Sequence, residues 1–236
     1  MKCLLVALVL IAVDGAASTQ VDIKPKNGEA VSKLAILSSS PVVYGYVSRI
    51  KHNIITNCKE NGRDIAKDLE KSYEDLVNCI NTTTLYTNKK LEYIQNLEEC
   101  SKTAIQKAKS CLKKEHSYYP DILLKIVKSQ ISFVCDNYET IQNHLIPCIK
   151  TYEKQEVRTR LLNCFTDVNR TVKDASLIPP SIEVFCQKYV PSHNCFIDIL
   201  ENECKQFPKL KQFGENYNIA MSYPCSKNGS KSIYNM

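Results

Sequence analysis

Glycine is scarce in this chain, and that scarcity excludes more than any motif present. Only 6 of 236 residues are Gly, and none lies between Gly62 and Gly214. An all-β chain turns about every 8–12 residues and usually places Gly at those turns. Phosphate loops and dinucleotide folds need clustered Gly, yet neither G-x-G nor G-x-x-x-x-G-K occurs. The nucleophile elbow G-x-S-x-G, H-E-x-x-H and the kinase signatures are missing as well. What remains is a helical chain. With 44% apolar and 24% charged residues it can fill one sizeable core or two small ones.

The N-terminus reads as a secretory signal. Met1 and Lys2 lead into CLLVALVLIAV and then Asp14-Gly15-Ala16-Ala17, a basic start, a short apolar run and a small-residue cleavage site. The run is too short for a membrane span, which takes roughly 20 residues. Cleavage is expected after Ala17, leaving an exported chain without a membrane span. Its formal charge stays at +6, because Lys2 and Asp14 leave together. Lys102, Lys109 and Lys113 fall near one helical face, either a site for an acidic glycan or an ordinary solvated face. The pattern expected of a nucleic-acid binder is missing.

Cysteine usage fits export. Cys3 leaves with the signal, and eleven remain: Cys58, Cys79, Cys100, Cys111, Cys135, Cys148, Cys164, Cys186, Cys195, Cys204 and Cys225. In an exported chain these form disulfides, and an odd number leaves one thiol over. Connectivity is open at this point, and so is the identity of the odd thiol. Burial within an apolar helical pattern would keep it inert and the chain a covalent monomer; Cys79, Cys148 and Cys164 all sit in such patterns. No metal is expected: there is no C-x-x-C, and His52, His116, His144 and His193 stand far apart.

Apolar spacing organises the rest. Residues 18–40 are small or polar and read as a mobile N-terminal arm. Residues 41–225 read as one helical, disulfide-rich domain, with a sub-division at 179–180 as the alternative; residues 226–236 form a polar tail. Val43 to Cys58 predicts one helix, Ile65 to Ile80 a second, and Leu91 to about Glu115 a third. Pro120 sits where a helix starts, Pro147 should kink or end one, and Val157 to Val172 marks another. Beyond Pro179-Pro180, three short helical pieces are expected, punctuated by Pro191, Pro208 and Pro224. If the first three helices turn near Gly62 and Thr83, Cys58 and Cys100 become neighbours and Cys79 lies at the far end. Tyr118-Tyr119 beside Pro120 reads as a packing corner.

Asn81-Thr82-Thr83, Asn169-Arg170-Thr171 and Asn228-Gly229-Ser230 are glycosylation sequons. No catalytic residues stand out: adjacent carboxylates such as Glu98-Glu99 diverge on a helix and cannot flank one bond.

The blocks around Cys100 and Cys111-Leu112, ISFVC at Cys135, IPCI at Cys148, NCFTDVNRT, and above all FCQKYVPSHNCFIDILENECK with a closing Pro224-Cys225 resemble the insect 27 kDa hemolymph glycoprotein family. The resemblance runs over roughly residues 50–225. It implies a secreted, helical, disulfide-rich insect protein and no particular reaction. The expectation is therefore an all-α, disulfide-stapled multi-helix bundle without cofactor. It would act outside the cell by binding a protein or glycan, not as an enzyme. The alternative is a carrier of a small hydrophobic ligand.

Overall fold

A computed structural model describes residues 52–60, 66–85, 89–149, 155–171 and 178–226. The signal segment, the arm, Cys3, Asn228 and almost all of the tail lie outside them. The architecture is an all-α, disulfide-stapled bundle, with no strand among the described residues. Residues 52–60 are helical (α1), followed by α2 (Ala66–Asn81), α3 (Lys90–Cys111) and α4 (Tyr119–Asp136). Three consecutive helical pieces, Tyr138–Thr140, Ile141–Leu145 and Ile146–Ile149, make up α5. Then come α6 (Gln155–Thr171), α7 (Ile182–Glu203) and α8 (Lys209–Ser222). Short 3-10 turns occupy Lys114–His116 and Tyr223–Cys225.

Prolines explain several of these boundaries. Pro120 stands in the first turn of α4, and Pro208 is the N-cap residue of α8. Their missing amides fall where a helix has no internal acceptor to offer. Pro147 acts differently. A regular helix would drive its ring into the Asn143 carbonyl. Ahead of it the chain widens into a π turn over Ile141–Leu145, with the Ile146 amide reaching back to the Ile141 carbonyl.

Pro191 corrects the sequence reading. It lies inside α7, which runs unbroken for 22 residues where short pieces were expected. An internal proline costs about 3 kcal/mol. Here α7 is pinned on both sides of it by Cys186–Cys225 and Cys164–Cys195. Ser192 also donates its hydroxyl to the Lys188 carbonyl at 2.8 Å. Tertiary restraint outweighs the local breaker.

Helix α4 is the centre. Twelve of its residues are buried, from Tyr119 to Cys135, because it packs on α3 along one side and on α8 along another. Ion pairs Lys90–Asp136, Lys128–Glu98 and Lys109–Asp121 fix α3 and α4 antiparallel. The outer helices follow: α2 packs on α3, and α6 on α7, which packs on α8.

Candidate functional site

Ten cysteines form five bridges: Cys58–Cys111, Cys79–Cys100, Cys148–Cys204, Cys164–Cys195 and Cys186–Cys225, with Cα–Cα distances of 5.4 to 5.8 Å. The expected proximity of Cys58 and Cys100 is overturned, since Cys79 holds Cys100 and Cys58 holds Cys111. The reason lies in the turn after α2. Asn96 donates to the Thr83 hydroxyl at 2.6 Å, so the first turns of α3 run beside the connection, past the end of α2. That displaces α3 by about ten residues, or roughly 15 Å at the helical rise. Cys111, at the far end of α3, thereby reaches the level of Cys58.

Among the described residues, Cys135 is the cysteine outside the five bridges, buried at 7% exposure on α4. Cys79, Cys148 and Cys164, which carried the same apolar signature, are all bridged. An apolar pattern reports burial equally for a thiol and for a half-cystine, so it could not separate them.

An aromatic seam lies between α7, α8 and α4. His193 is 1% exposed, and its Nδ1 lies 2.7 Å from the Tyr217 hydroxyl. Tyr189 sits edge-on to the imidazole with centroids 4.4 Å apart, and Phe196, Phe213 and Phe133 surround Tyr217 at 5.1, 6.4 and 5.4 Å. Phe185 continues the row to Tyr119. The sequence carried a signal for it: Phe185, Tyr189 and His193 recur every four residues and so share one face of α7. Rings edge-on or, for Phe213 on Tyr217, stacked at these spacings are packing contacts.

Tyr118-Tyr119 is a packing corner. Tyr118 donates to the Pro179 carbonyl at 2.8 Å, and buried Tyr119 accepts from Asn53 at 2.9 Å. Nearby, Tyr73, Leu76, Ser101, Ala104, Ile105, Ala108 and Pro120 bound a cavity of about 10 Å³. That is space for roughly one water molecule. The Tyr73 hydroxyl is buried there without a hydrogen-bond partner, and burial first, then neighbouring Tyr119, push its pKa far above the ordinary phenol range.

The basic face dissolves on inspection of its partners. Lys102 is paired with Glu99 at 2.6 Å and Lys109 with Asp121 at 2.6 Å, leaving Lys113 exposed beyond the end of α3. The four His are dispersed: His52 is exposed, His116 lies in the 3-10 turn, His144 packs on Phe207, and His193 is in the seam. Among the described residues no three of His, Cys, Asp and Glu gather to hold a metal ion. Of the sequon residues, Asn81 is exposed as the last residue of α2, while Asn169 falls in the last turn of α6. Thr82 donates to the Cys79 carbonyl at 2.7 Å, fixing the turn that presents Asn81.

Five bridges are compatible with an extracellular setting. Among the described residues no helix is long and apolar enough to cross a membrane. Compared with protein-family models, with curated proteins and with solved structures, the chain finds no match in any of the three.

Proposed function

We propose that the protein is a secreted, non-enzymatic glycoprotein of the insect hemolymph type, which acts by binding another extracellular protein or a glycan through its surface. The observation that carries this reading is how its interior is used. Helix faces that could have enclosed a ligand meet side chain to side chain, from Leu69 and Leu76 through Ile122 and Ile131 to Phe196, Tyr217 and Met221, all at 2% exposure or less. A carrier for a small apolar molecule needs about 300 Å³ or more, whereas the cavity beside Tyr73 offers about 10 Å³. Five bridges hold the filled core as a rigid support, and exposed Asn81 offers a place for a glycan that costs no packing.

Native mass spectrometry of the full chain secreted from insect cells tests this. The expected species is a covalent monomer with glycan on Asn81 and no retained small molecule. A stoichiometric apolar ligand that survives purification would replace this reading with that of a carrier. A chain retained in the cell without glycan would remove both.

A further inference from the structure

Both sequons among the described residues sit at the ends of helices that a bridge pins. Asn81 closes α2, and Asn169 and Thr171 belong to the last turn of α6. Cys79–Cys100 ties the end of α2 to α3, and Cys164–Cys195 ties α6 to α7. A sequon is defined by an asparagine and a hydroxyl two residues on, so the transferase that uses it must take hold of both. Positions two apart share a face on an extended chain. On a helix they fall on different faces and do not meet.

The hydroxyls are engaged as well. Asn96 of α3 donates to the Thr83 Oγ1 at 2.6 Å, and Thr83 is half-buried although Asn81 is exposed. The amides of Thr82 and Thr83 bond back to the Cys79 and Ile80 carbonyls, so the chain keeps turning past Asn81. Thr171 donates its hydroxyl to the Val168 carbonyl at 2.7 Å. A helix end left to itself frays readily. Here Cys79–Cys100 holds the last turn of α2 against the helix that supplies Asn96.

We infer that the folded chain hides its own sequons, so that glycan must reach Asn81 and Asn169 before Cys79–Cys100 and Cys164–Cys195 close. This rests on the glycoprotein reading and adds a rule of order to it. Transfer joins the asparagine Nδ2 to the first sugar carbon of an oligosaccharide carried on a lipid diphosphate. The bond from that carbon to the diphosphate breaks, and one amide proton leaves with it. Exposure of Asn81 lets the finished glycan stand in solvent, whereas attaching it needs the turn undone. Bridge formation and glycan transfer therefore compete for the same stretch of chain.

The test translates the full chain into microsomes whose glycan transfer is blocked, then restores transfer in two arms. In one arm the chain has first been oxidised to its bridged form; in the other, dithiothreitol holds it reduced. The reduced arm should gain glycan at Asn81 and Asn169, mapped by peptide mass spectrometry, and the oxidised arm should gain none. Equal gain at Asn81 in both arms would overturn the inference and leave the glycoprotein reading standing. No gain in either arm would remove that reading and the inference with it. The double variant Cys79→Ser, Cys100→Ser, carried through the oxidised arm, should gain glycan at Asn81 and not at Asn169. Gain at both positions, or at neither, would overturn the role given to that bridge.

Discussion

The imidazole of His193 and the hydroxyl of Tyr217 are joined at 2.7 Å within the seam between α7 and α8, with both residues at 1% exposure. A hydrogen bond so placed has little water to replace it. Tyr217→Phe keeps the ring packing and removes this bond from a buried ring nitrogen. The expected loss is about 1–3 kcal/mol of stability, read by denaturant unfolding. An unchanged midpoint would show that the bond is energetically idle.

Lys128 predicts a response to alkali. Its side chain is 18% exposed, and burial holds the ammonium below its ordinary pKa despite the Glu98 partner. Because the folded-state pKa is the lower one, the unfolded chain binds more protons between the two values, and stability rises with pH through that window. Lys128→Met should remove this contribution, read as the difference between parent and variant unfolding midpoints below the pH at which buried Tyr73, whose pKa is raised, begins to lower stability. Glu98→Gln should cost about 1 kcal/mol, a modest figure because Glu98 is 39% exposed.

The nested bridges of the first half should differ in worth. Cys58–Cys111 closes a span of 53 residues and Cys79–Cys100 one of 21. Loop-closure entropy assigns them about 4 and about 3 kcal/mol. Replacing each pair by serines and comparing thermal unfolding should rank them in that order. A larger loss from the shorter loop would mean that native packing around Cys79 dominates.

Covalent connectivity makes a further prediction. Among the described residues, no bridge joins those up to Asp136 with those from Tyr138 onward. One engineered protease cut at the Asn137 turn should therefore release two fragments on a denaturing gel without reductant. A single band that divides only on reduction would refute the pairing.

Cys135 should behave as an interior group. At 7% exposure it should resist a maleimide in the native protein and react after denaturation. Rapid labelling under native conditions would show that α4 opens.

Local periodicity made most of this fold legible. The Ile65–Ile80 spacing anticipated α2, and Pro120 marked the start of α4, because amphipathic faces and proline boundaries are decided within a few residues. Pro191 was misread because the restraints that keep α7 continuous come from Cys164 and Cys225, distant in sequence. The Cys58 pairing failed for a similar reason, since it hinges on where the connection after Asn81 re-enters a helix. The basic face formed by Lys102 and Lys109 looked free because Asp121, on the neighbouring helix, was not yet beside it.

The nesting also sets an order of events. As the chain lengthens from its N-terminus, Cys100 becomes available to Cys79 before Cys111 becomes available to Cys58, so the inner clasp can shut first. Both clasps of the first half can be complete before Cys148 exists. Cys135 is then synthesised into an interval with no half-cystine of its own half left to meet.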